Sequence, residues 1–116
     1  MPRSIRAIAA CVLLSSLAAC VVTPPPAPAP HPSQQQIADQ RLHQVNGRID
    51  NLARRIDTRV NQGNFPPAQG AALHHRLEVI RQEAHDMAAQ HGGGLTSDEQ
   101  RVLNQELDNA AHAIGE

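Results

Sequence analysis

An all-α fold, a small antiparallel three-helix bundle, is predicted by three features of the 116-residue sequence. Apolar residues recur at alternating steps of three and four in three separate stretches. Two of those stretches open with Ser or Thr three positions ahead of Gln or Glu, the pattern of a helix start. No stretch alternates apolar with polar residues as a half-buried strand would. The bundle is expected over residues 33–116, behind a cleaved signal segment at 1–19 and a Pro-rich linker at 20–32, with helices at about 34–61, 67–91 and 97–114.

Met1-Pro2-Arg3-Ser4-Ile5-Arg6 is short and basic, and Ala7 to Ala19 is an apolar run broken only by Ser15 and Ser16. A bilayer span needs about 20 apolar residues, so this run reads as the hydrophobic region of a signal peptide. Leu17-Ala18-Ala19-Cys20 resembles a bacterial lipobox, with cleavage between Ala19 and Cys20. The resemblance to lipoprotein precursors covers residues 1–20 and implies that the Cys20 thiol carries diacylglycerol and that the new amino group takes a further palmitate-type chain. One acyl chain gives only marginal membrane binding, and each further buried CH₂ adds about 0.8 kcal/mol. Val21 and Val22 stand where, in the Gram-negative family, aspartate signals inner-membrane retention. Outer-membrane, periplasm-facing anchorage is the implied location. A plain secreted protein with an incidental cysteine is the competing reading. Cys11 falls in the removed segment, which leaves one blocked cysteine and no disulfide.

Cleavage after Ala19 leaves eight basic residues against eleven acidic ones, a formal charge of −3. Such a chain has no basic surplus with which to hold nucleic acid. All the basic residues are arginine. Braun-type lipoproteins join peptidoglycan through a C-terminal lysine amine, so no covalent link to the wall is expected here. Phe65 is the only aromatic, and the core must come from Leu, Ile, Val, Met and Ala. That core is small for a single domain.

Thr23 to Pro32 carries six prolines and predicts an extended polyproline II spacer, since proline lacks an N–H and restrains its neighbour. Ser33 and Gln36 form the first capping-box pair, and Leu42, Val45, Ile49, Leu52 and Ile56 supply the seam. Asn46-Gly47 interrupts that run with a turn signal, and because the apolar spacing crosses it, a weakened helix is expected rather than a break. Gly63 is the expected left-handed cap. The length of this helix suggests that its linker-proximal end projects past the others, with a seam that a second copy could cover. Pro66-Pro67 opens the second helix, with Leu73, Leu77, Ile80, Ala84 and Met87 as its stripe and Gly92-Gly93-Gly94 ending it. Thr96 and Glu99 cap the third, whose stripe is Leu103, Leu107, Ala110 and Ile114 before Gly115.

A shift of thirty residues superposes Gly63 to Gln69 on Gly93 to Glu99, then Leu73 on Leu103 and Leu77 on Leu107. With Ile49-Asp50 and Arg59 to Gly63, the Gly93-Gly94-Leu95-Thr96-Ser97-Asp98-Glu99 segment resembles uncharacterised proteobacterial envelope proteins with G-x-L-T-x-x-E repeats, over most of residues 37–116. That implies a helical envelope module and no activity. Leu95-Thr96-Ser97-Asp98-Glu99-Gln100 and Phe65-Pro66-Pro67-Ala68-Gln69 also resemble the paired L-T-x-x-Q motifs of Spy/CpxP-type periplasmic chaperones and stress regulators. Glu99 and Phe65-Pro66 depart from that motif. An EF-hand alignment of the repeat places Gly93, Leu95 and Glu99 at positions 6, 8 and 12, but Ala88, Gln90 and Gly92 at positions 1, 3 and 5 bring no carboxylate ligand, so calcium is not expected.

Seven histidines raise the question of metal, but none forms an i, i+4 pair, and no metal site or other cofactor is expected beyond the lipid on Cys20. Arg41, Arg48 and Arg55 recur every seven residues beside the seam, expected to pair with acids such as Asp50, Glu83 or Glu106 or to contact an anionic envelope component. Few hydroxyls, no tyrosine and no free thiol point away from an enzyme. Two functional readings remain: a structural or protein-interaction module of the envelope, which includes self-association, and a chaperone or stress and metal sensor. The second requires an exposed apolar face, expected around Phe65, Leu95 and the open end of the first helix.

Overall fold

Ser33 and Gln36 form the reciprocal capping box that starts α1 (Gln34–Asn61): the Gln36 N–H donates to Ser33 Oγ at 3.1 Å and the Ser33 N–H to Gln36 Oε1 at 2.7 Å. The computed structural model describes residues 24–26 and 30–115. The signal segment, Ala19, Cys20 and linker residues 21–23 and 27–29 lie outside the described residues. The described linker prolines are exposed and outside regular secondary structure.

Two further helices follow, α2 (Pro67–Ala89) and α3 (Ser97–Ile114), and each helix packs on the other two. Among the described residues the chain is all-α. Asn61 ends α1 because Gly63 takes φ +75° and the N–H groups of Gly63 and Asn64 close back on Val60 and Arg59 carbonyls. α2 stops two residues before the expected His91. Gln90 and His91 instead form a tight turn, and the Gly93 N–H bonds the Ala88 carbonyl at 2.9 Å.

Cross-helix contacts define the register. Gln44 meets Gln100, Arg48 meets Asn104 and Arg59 meets Gly115, each 56 residues apart. Because that offset is constant, α1 and α3 run parallel, and their buried stripes, Val45, Ile49, Leu52 and Ile56 against Leu103, Leu107, Ala110 and Ile114, repeat the same steps of four, three and four. Arg81 meets Asp50 and His74 meets Asp57, which sets α2 antiparallel to both. Val45, Ile49, Leu52 and Ile56 of α1 enclose a core with Leu77, Ile80 and Ala84 of α2 and Leu103, Leu107 and Ile114 of α3, all at most 3% exposed. Leu42, Leu73 and Met87, expected in the seams, lie half-buried at its margins.

Asn46-Gly47 does not interrupt α1, because Val45 and Ile49 on either side are buried and hold the turn. The Asn46 Oδ1 is nonetheless buried without a hydrogen-bond partner, and Gly47 has open space where a Cβ would stand. Gly47→Ala should therefore stabilise the bundle by about 0.5–1 kcal/mol, through helix propensity alone. A thermal melt by circular dichroism should move up by a few degrees; an unchanged or lower midpoint would contradict it.

The linker-proximal end of α1 does not project freely. Its first two turns are covered by the α2–α3 loop, where the Leu95 N–H donates to the Ala38 carbonyl at 2.9 Å and Gln35 Nε2 to the Gly93 carbonyl at 3.0 Å.

Candidate functional site

Residues seven apart on a helix fall on one stripe, and α3 lies along that stripe of α1. Arg41 therefore donates to the Leu95 carbonyl at 3.3 Å, while Arg48 reaches the Asn104 carbonyl and side-chain oxygen and pairs with Asp108. Arg59 donates to the Gly115 carbonyl at 3.1 Å, a cation placed at the negative end of the α3 dipole. Arg48 thus pairs with Asp108, and Asp50 is taken by Arg81 at 2.6 Å. Arg55 lines a shallow cleft with Thr58, Arg59, Gln62 and Ile114 at the same end. Arg41, Arg48 and Arg59 clasp α1 to the α3 side. This employs Arg41 and Arg48 inside the bundle, where both are half-buried.

The two repeat loops diverge at their apolar residue. Leu95 is 0% exposed and is a core residue, so as folded it offers no surface to a client or partner. Phe65 at the matching position is half-buried, with the Arg59 guanidinium 5.9 Å above its ring. Gly94 explains the difference. A Cβ there would lie 2.5–2.7 Å from backbone and side-chain atoms of Ala38 and Asp39, and only its absence lets the loop sit against α1 and bury Leu95.

Among the histidines, His74 Nε2 lies 2.7 Å from Asp57, and His91 Nε2 lies 2.6 Å from Glu99. Glu99 serves two partners, since its other oxygen accepts the Thr96 N–H at 2.8 Å. Burial pushes the Glu99 carboxyl up, but the Thr96 and His91 hydrogen bonds and the His91 charge outweigh it and hold the group below its ordinary value. These pairs tie α1 to α2 and the α2–α3 loop to α3. Among the described residues no three His, Cys, Asp or Glu side chains converge as a metal site.

One surface was not marked by the seams. Glu83 of α2 and Glu106 of α3, both half-buried, lie near enough across the helix contact for each carboxyl to feel the other's charge. Four residues along each antiparallel helix, towards the loop, stand Met87 and Val102; four the other way stand Val79 and the buried Ala110. Val79 is 52% exposed and Val102 39%, the exposed large hydrophobic residues of the described chain. Val79, Glu83, Asp86 and Met87 line a shallow depression of about 450 Å³. The available signal in the sequence was an apolar residue off the heptad phase in each of two adjacent helices.

Burial, then repulsion by Glu83 and a hydrogen bond to it, raise the Glu106 carboxyl above its ordinary value, against a weaker opposing pull from Arg76. A raised folded-state value favours folding below the ordinary carboxylate range, and that contribution is lost as pH rises through the folded value. Glu106→Gln should therefore melt at a higher temperature than the parent at pH 7, with the difference shrinking at pH 4. Equal melts at pH 7 would show that Arg76 already neutralises the pair.

No protein family, curated protein or solved structure matches this chain. No helix among the described residues is long and apolar enough to cross a membrane.

Proposed function

We propose that this chain is a lipid-anchored envelope protein whose three-helix bundle is a non-enzymatic interaction module. The observation that carries the reading is the closed core: all three heptad stripes and Leu95 turn inward, leaving Val79 and Val102 as exposed large hydrophobics among the described residues. A holdase needs a contiguous apolar cradle for unfolded clients, and Leu95, which the chaperone reading required at the surface, is inside the core. The depressions on the bundle are open and shallow, where reactive sites are concave and lined by converging polar groups. Cys20 supplies the membrane attachment and the proline-rich segment the spacing from the bilayer, by the lipobox and linker composition. The location this implies is the periplasmic face of an outer membrane.

An aggregation-suppression assay on the otherwise complete Cys20→Ala chain tests the choice, with and without zinc. The expected result is no suppression at substoichiometric ratios in either condition. Strong suppression that is lost on Phe65→Asp, with helical content retained, would establish the chaperone reading instead.

A further inference from the structure

The three grooves of the bundle differ in what bridges them. Arg41, Arg48 and Arg59 cross from α1 to the α3 side, each to an oxygen acceptor. Arg81 and His74 cross from α2 to carboxylates of α1. At the middle of the α2–α3 groove two carboxyls meet, Glu83 and Glu106, both half-buried, with Arg76 as the cation acting on them from α2. A like-charge pair held at a helix–helix contact, with apolar side chains one turn to either side, is electrostatically incomplete.

We propose that the α2–α3 groove docks a basic amphipathic helix of a partner protein. A Lys or Arg of that helix sits opposite Glu83 and Glu106, and apolar residues four positions before and after it cover Val79 on one side and Met87 with Val102 on the other. The inference rests on the interaction-module reading and names the partner's chemistry. Val79 and Met87 are eight residues apart, about 12 Å along α2, which matches the separation of two apolar residues at i−4 and i+4 on an incoming helix. A groove between two helices is also the shape that accepts a third helix's ridge.

Charge complementarity selects among occupants. A second copy packed symmetrically on this face would set the acidic pair against itself and bring four carboxyls together. An anionic membrane surface would be repelled by the same pair. A cation flanked by apolar residues satisfies both the charge and the exposed valines, and it favours the ionised form of Glu106 that the empty groove disfavours.

The test uses the otherwise complete Cys20→Ala chain and two synthetic amphipathic peptides of about 15 residues, long enough to populate helix. They are identical, with Leu four positions on each side of a central residue, except that this residue is Arg in one and Glu in the other. Calorimetry at pH 7 should find the Arg peptide bound about tenfold or more tightly than its twin, a difference of about 1.4 kcal/mol. Amide shifts should centre on Val79, Glu83, Met87, Val102 and Glu106. Val79→Asp should weaken binding while leaving the circular dichroism spectrum unchanged, because the side chain is exposed. Joint replacement Glu83→Gln and Glu106→Gln should abolish the discrimination between peptides, and binding should weaken as pH falls through the carboxylate range. Equal binding of the two peptides, absence of binding, or shifts centred on α1 would overturn the proposal. Photocrosslinking in the bacterial envelope separates this from failure of the broader reading. Adducts to another protein from position 102 support the groove; adducts from position 43 of α1 alone discard the groove and retain the module, and adducts from neither discard both. Adducts at 102 to a second copy of the chain would also overturn it.

Discussion

Gly94→Ala is expected to destabilise the bundle by about 2–5 kcal/mol, enough to leave a domain of this size largely unfolded at 37 °C. Two effects add. Gly94 holds φ +76°, where an L side chain costs about 1–2 kcal/mol. The new Cβ would also fall 2.5 Å from the Ala38 carbonyl carbon and 2.7 Å from the Asp39 nitrogen. Those are helix backbone atoms with no rotamer to yield, so the loop itself must lift, an overpacking penalty of about 1–3 kcal/mol. Lifting it breaks the Leu95 N–H to Ala38 bond and exposes a side chain that is now fully buried. Gly92→Ala is the control, since Gly92 shares the positive φ, at +75°, but has open space for a Cβ. Urea melts followed by circular dichroism should place Gly92→Ala within about 1–2 kcal/mol of the parent, as the conformational term alone requires. Equal losses for the two variants would show that the approach to Ala38 is not what anchors the loop.

Cys20→Ala is expected to abolish lipid anchorage, either stranding the precursor on its signal segment or freeing the domain. The anchor is proposed to be covalent lipid, and two or three acyl chains at about 0.8 kcal/mol per buried CH₂ exceed anything the bundle could contribute. The charge of −3 expected after cleavage would not draw the bundle to an anionic bilayer, and no helix among the described residues is long and apolar enough to span one. The variant should therefore appear as uncleaved precursor or as free soluble domain. Mass spectrometry of the parent's mature N-terminus should find Cys20 with diacylglycerol and an amide-linked acyl chain. An unmodified Cys20 in the soluble fraction of the parent strain would remove the anchor, and with it the envelope location.

The legible part of the fold was the part governed by local chemistry. Ser33 with Gln36 and Thr96 with Glu99 mark helix starts because an orphan N–H must find an acceptor within three residues. Gly63 and Gly115 mark stops because few other residues take a left-handed φ. The 3–4 spacing of Val45, Ile49, Leu52 and Ile56 and its counterparts names the buried faces, since a helix carries every such residue to one side. Neither signal contains the neighbouring helix.

What needed tertiary structure follows from that gap. Asn46-Gly47 reads as a weak point, yet burial of the flanking Val45 and Ile49 outweighs local propensity. Leu95 and Phe65 occupy equivalent positions of one repeat, but only Leu95 is enclosed, because Gly94 permits backbone contact with α1 fifty-six residues earlier. The candidate residues Arg41 and Arg48 were recognisable as a row, but their acceptors on the α3 side follow from the parallel register of α1 and α3. Glu83 and Glu106 are ordinary surface glutamates on their separate helices. Their antiparallel juxtaposition makes them a pair. By itself the sequence determined three helices, every end but that of α2, and the central residues of their inward faces, because each is settled within a few residues. Which side chains from distant segments share a groove was decided only by packing, since that depends on helix register and close approach.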